Sequence, residues 1–164
     1  MRRLILLAAV AALFLVALPV ASAGAVPPEQ VRFEVTSYFA NPAPAGYGTF
    51  NAYGPAADSG TVCEHGWTVD LSTTVVPKKG PSPSPTILKV LKEFGCTDLS
   101  GTFFVELRVR IYSEKGTTFN WVIKGGTDDY EGLKGNGNGY VDHDLFNGGT
   151  VPVGVYDIYN GKLH

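Results

Sequence analysis

Apolar and polar residues alternate along most of the chain beyond residue 30. The longest run is 101–112, where Phe103, Val105, Leu107, Val109 and Ile111 share one face and Phe104, Glu106, Arg108, Arg110 and Tyr112 the other. A period of two marks a half-buried strand. Residues 118–124 repeat the pattern, with Phe119, Trp121 and Ile123 on one side. The polar stretch 113–116 between them predicts a long hairpin. Residues 31–36, 47–53 and 154–159 alternate as well, and 61–63 reads as a short strand leaving a turn. Residues 67–76 are rich in β-branched side chains, a strand preference, and place Trp67, Val69, Leu71 and Thr73 on one face. Residues 86–94 fit two patterns. Ile87, Leu88, Val90, Leu91 and Phe94 suit a helix face, whereas Leu88, Val90, Lys92 and Phe94 suit a strand less cleanly. Among so many neighbouring strands, a strand is expected.

Glycine occupies six of the fifteen positions from Gly125 to Gly139. Glycine takes positive φ without steric cost, so this run contains tight reversals. The stretch between 128 and 133 is too short for a stable helix. Tyr130 and Leu133 stand three apart and can both point inward to plug the end of a barrel. Gly137, Gly139 and Val141 resume a strand alternation. A phosphate-binding loop would need a long helix opening after the glycines and a different spacing. Gly126-Thr-Asp-Asp-Tyr-Glu-Gly-Leu-Lys-Gly-Asn-Gly137 resembles the turn signature of barrels of the allene oxide cyclase and dirigent type, and of small secreted bacterial proteins carrying the same turn. The match runs from Gly101 to Gly139, with Asp128 where glycine is usual. The resemblance implies eight antiparallel strands closed round an apolar interior. No catalytic residue carries over from it. The fold expected is an all-β, single closed antiparallel barrel of about eight strands.

The first 23 residues have a basic head, an apolar middle, Pro19 and a small-residue Ala-Ser-Ala end. That is the form of a secretory leader cut after Ala23. No cysteine follows the apolar run, so a free secreted protein is expected, with no membrane association after cleavage. Residues 24–30 are expected to be a mobile arm, and 31–164 the barrel. Of 13 basic and 15 acidic residues, Arg2 and Arg3 leave with the leader, giving a net charge of −4. No basic patch remains, which argues against nucleic acid as a partner. In an exported chain an even count of cysteines predicts a disulfide, here Cys63 to Cys96. It would enclose the proline-rich 77–85, which cannot pair in a sheet.

Several motifs invite chemistry. Asp58-Ser-Gly-Thr61 matches the aspartic-protease signature, but once only and after two alanines where apolar strand residues are usual, so a turn is the favoured reading. Asp142-His-Asp144 puts two carboxylates on one face of a strand and His143 on the other; with Asn136, Asn138 or Asp128 they would offer oxygen ligands to calcium, though without any EF-hand spacing. His65, His143 and His164 are scattered, against zinc. Arg108 and Arg110 could hold an anion or simply face water. No nucleotide loop or nucleophile elbow is present, and no cofactor or metal is expected. Three functional readings follow. The first is a barrel holding a small apolar molecule against Phe33, Phe50, Trp67, Phe103, Trp121 and Tyr130, as an eight-stranded barrel can. The second is an interaction protein using exposed Tyr38, Phe39, Tyr47 and Tyr53. The third, on analogy of fold, is a cyclase- or dirigent-like enzyme with Asp58, Glu64, His65 and Asp128 as candidates.

Overall fold

A computed structural model describes residues 27–39, 46–77 and 85–164. The leader, the start of the arm, the 40–45 connection and most of the proline-rich segment lie outside the described residues. Eight strands form: β1 (Glu29–Phe39), β2 (Gly46–Tyr53), β3 (His65–Val76), β4 (Thr86–Cys96), β5 (Thr102–Tyr112), β6 (Gly116–Gly126), β7 (Gly135–Leu145) and β8 (Gly154–Leu163). Each pairs antiparallel with the next, and β8 pairs with β1, so the sheet closes into an up-and-down barrel. Closure leaves no unpaired sheet edge. Residues 86–96 are strand throughout, because Leu88, Val90, Lys92, Phe94 and Cys96 all take the inner register.

The barrel is filled at one end by rings. Phe33 lies within 6.4 Å, centroid to centroid, of Phe50, Phe94, Phe103, Trp121 and Tyr159. Eight strands leave too little width for a large side chain at every inner position, and glycines relieve the crowding. A Cβ on Gly137 or Gly161 would run into the Trp121 indole, and one on Gly139 into the Phe119 ring. The alternating glycines of β7 are thus the inner face of a strand that yields its space to neighbours. The same end is plugged from below. Ala56 and Ala57 of a single helical turn, α1 (Pro55–Asp58), are buried there with Val62, as are Tyr130 and Leu133. Cys63 and Cys96 are disulfide-bonded, as expected from the sequence, and Tyr130 packs its hydroxyl 3.3 Å from Cys96 Sγ.

Four local expectations need correction. Residues 61–63 are not a strand; Val62 tucks under the barrel instead. The first strand starts at Glu29, inside the stretch expected to be an arm, because Glu29 pairs with Leu163 of β8 and takes hydroxyl hydrogen bonds from Ser59 and Thr61. In β3 the inner face is Gly66, Thr68 and Asp70, and Trp67 is 40% exposed on the outside, lying over Gly95. Gly66 faces inward because the Phe50 ring occupies the space a side chain would need. Finally, a register shift between Val141 and His143 breaks the alternation of β7. Asp142 and His143, expected on opposite faces, instead touch at 3.0 Å.

Candidate functional site

The size of the inward side chains changes halfway along the barrel. Below are phenylalanine, tryptophan and tyrosine; above are Leu88, Val90, Leu107, Val109, Val141 and Val155. The same barrel width that packs rings leaves short aliphatic chains apart. A cavity of about 420 Å³ results, reaching the barrel end where Phe39 and Ile111 are exposed. Clefts of this size suit small-molecule ligands.

Its floor is polar. Ser37 of β1, Asp70 of β3, Lys92 of β4 and Asp157 of β8 each take an inner position in their strands and converge there. The Lys92 ammonium lies 2.7 Å from Asp70 Oδ1 and donates to Ser37 Oγ at 3.1 Å. The Ser37 hydroxyl in turn donates to Asp157 Oδ2 at 3.5 Å. Lys92 is nearly inaccessible, and a buried ammonium is tolerable only when paired in this way. Gly46 makes room for the ensemble, since any Cβ there would meet the Asp70 carboxylate. Burial pushes the Asp157 carboxyl up to about 7, a rise that the Lys92 charge and the Ser37 bond oppose and the Asp70 charge reinforces. Beneath it, burial raises the Tyr159 phenol well above its ordinary value, with the charges of Asp157 and Asp70 adding to the effect. The hydroxyls of Tyr159 and Thr68 are buried without a protein partner among the described residues. An apolar shaft over an ionic floor can hold a molecule that is greasy along its length and polar at one tip.

The residues singled out from sequence fall elsewhere. Phe33, Phe50, Phe103, Trp121 and Tyr130 are packed against one another or the plug below the floor, and Trp67 is outside the barrel. Asp58, Glu64 and His65 do come together, around a groove on the closed end beside α1, whereas Asp128 stands apart on the loop after β6. The Asp58-Ser-Gly-Thr61 turn spends its Ser59 and Thr61 hydroxyls on Glu29, whose pKa the Thr61 and then the Ser59 hydrogen bond lower. Tyr38 and Tyr47 face each other at 5.8 Å on the outer wall, Phe39 lines the cavity, and Tyr53 pairs with Arg32 further along. Arg110 donates to Asn120 Oδ1 on the outside. Among the described residues no group of three or more His, Cys, Asp or Glu is gathered as a metal site would require. Sequence reasoning missed Ser37, Asp70, Lys92 and Asp157. A signal for Lys92 was present: it is the one charge on the inner side of an otherwise apolar alternation in 86–96.

Fold and site together define a closed eight-stranded antiparallel barrel with one packed end and one hollow, ion-floored end. No protein-family model matches the chain, and neither a curated protein nor a solved structure matches it.

Proposed function

We propose that the chain is exported and binds a small, largely apolar molecule in the hollow end of the barrel. The observation that carries this is the aliphatic cavity of about 420 Å³ above the buried Ser37, Asp70, Lys92 and Asp157 cluster. A cavity of this kind above a packed core is not a by-product of loose packing, because protein interiors otherwise fill to crystal-like density. Mature protein titrated with a solvatochromic apolar dye should bind one equivalent. Val109→Phe, which adds a ring to the shaft without touching the floor, should weaken that binding by about tenfold or more. Undiminished dye binding in the filled variant, or no binding by the wild type, rules the reading out.

A second reading is favoured by one observation, the Asp157 carboxyl brought to about 7 inside an apolar chamber. A group titrating there is matched to proton transfer at neutral pH. The same cavity would then act on its guest, in the manner of the cyclase and dirigent barrels that the glycine turn resembles. Recovery of a bound molecule chemically unchanged after long incubation would leave binding alone.

A further inference from the structure

The floor of the cavity has more acceptors than donors. Asp70 and Asp157 bring four carboxylate oxygens. Lys92 brings one ammonium, and it is already engaged with Asp70 Oδ1 and Ser37 Oγ. Among the described residues Ser37 is the one side chain bonded to Asp157, and that contact is long, at 3.5 Å. Asp157 lines the cavity and is only 7% exposed. The Lys92 charge is felt by both carboxylates, but it is one charge against two and its contacts go to Asp70 and Ser37, so among the described residues no cation touches Asp157. Among the described residues, no other ionisable group lining the cavity redresses the balance. Leu88 and Val90 flank Lys92 on β4, Leu107 and Val109 come from β5, Phe119 from β6 and Val141 from β7; Tyr159 on β8 is acidic if anything.

Resting on the ligand-binding reading above, we propose that the guest is an amphiphile whose polar tip donates hydrogen bonds to Asp157: an aliphatic amine is held best, an alcohol less well and a fatty acid worst. An ammonium supplies the missing counter-charge and several donors. A hydroxyl supplies one donor and no charge. A carboxylate adds a third anion beside two existing carboxylates, and like charges at close range disfavour ionisation of one another. The aliphatic shaft takes the body of all three alike, so the tip alone sets the ranking.

Competition against the bound apolar dye by decylamine, 1-decanol and decanoate tests this, with the chain length held constant. At about pH 8, where Asp157 is ionised, decylamine should displace the dye at concentrations at least about tenfold lower than decanoate, with decanol between them. Lowering the pH to about 6 protonates Asp157 and should weaken decylamine several-fold and decanol much less. Asp157→Asn should remove the advantage of the amine over decanol and its pH dependence, with both competitors read against the dye affinity of that same variant. Decanoate competing as well as decylamine, or a ranking that survives Asp157→Asn, overturns the proposal with the cavity reading intact. The pH comparison on wild-type protein keeps the test decisive should the variant fold poorly. Failure of the dye itself to bind removes the ligand-binding reading and this one with it.

Discussion

Asp157 shows how one buried side chain ties stability to pH. Its carboxyl titrates near 7 in the folded chain, against an ordinary value of 3.8. Between those two values the folded state holds a proton that the unfolded state has released. Stability therefore falls as pH rises through that window and levels off above it. The loss is on the order of a few kcal/mol, since each tenfold change in proton affinity between the two states corresponds to about 1.4 kcal/mol. Asp157→Asn keeps the shape and removes the titration. Its melting temperature relative to wild type should thus climb from about pH 5 to about pH 8; a constant offset across that range would contradict the argument. Asp128 offers a second case. It has φ 53 at the start of the short 3-10 turn Asp128–Tyr130, in the left-handed region that costs most side chains energy. Asp128→Gly should be neutral or stabilising by up to about 1 kcal/mol in urea unfolding, and Asp128→Val destabilising.

The inner face of β7 is almost without side chains, and that is what its glycines are for. Gly137 pairs with Gly161 of β8, and the Trp121 indole spreads across both, donating from Nε1 to Asn138 O at 3.3 Å. A methyl at Gly137 would meet the ring and the Asn160 carbonyl together. Gly137→Ala should therefore cost about 1–3 kcal/mol, the range for overpacking a filled core, read as a lowered urea midpoint. The same substitution at Gly132, which has open space around it, should cost far less. At this scale much was legible beforehand. Alternation alone found the inward residues of β5 and β6, since the register shift in their ladder, between Phe104 and Val105, leaves β5 alternating and falls on β6 only beyond Ile123. It failed on β3, where the more apolar face points outward. Trp67 covers Gly95 there, and the inner positions are given to Gly66, Thr68 and Asp70. A register shift between Asp70 and Ser72 then changes the phase, bringing Thr73 into the cavity wall. Such shifts leave no mark in a pattern of period two until the partner strand is known. The candidate site was hidden for a related reason. Ser37, Asp70, Lys92 and Asp157 come from four strands far apart in sequence, and only closure of β8 onto β1 brings Asp157 near the other three.

The barrel as a whole divides its work between its ends, and the disulfide belongs to one of them. Cys63 follows the α1 plug and Cys96 ends β4, a separation of 33 residues. The link thus fastens the cover of the packed end to the wall, at the far side of the aromatic layer from the cavity. Closing a loop of that length removes unfolded-state freedom worth roughly 3–4 kcal/mol in the chain-entropy model. Reduction should lower the unfolding free energy by an amount of that order, read from urea unfolding, while leaving the cavity intact, because Lys92, Asp70, Ser37 and Asp157 are held by strand pairing and by each other rather than by the plug. A Cys63→Ser, Cys96→Ser double variant is the matching test, measured at a temperature where it is still folded by circular dichroism. Its affinity for the apolar dye should stay within about twofold of wild type even as its unfolding free energy drops. Should dye affinity collapse in a folded, disulfide-free chain, the two ends are mechanically coupled, and the packed half must be setting the width of the hollow one.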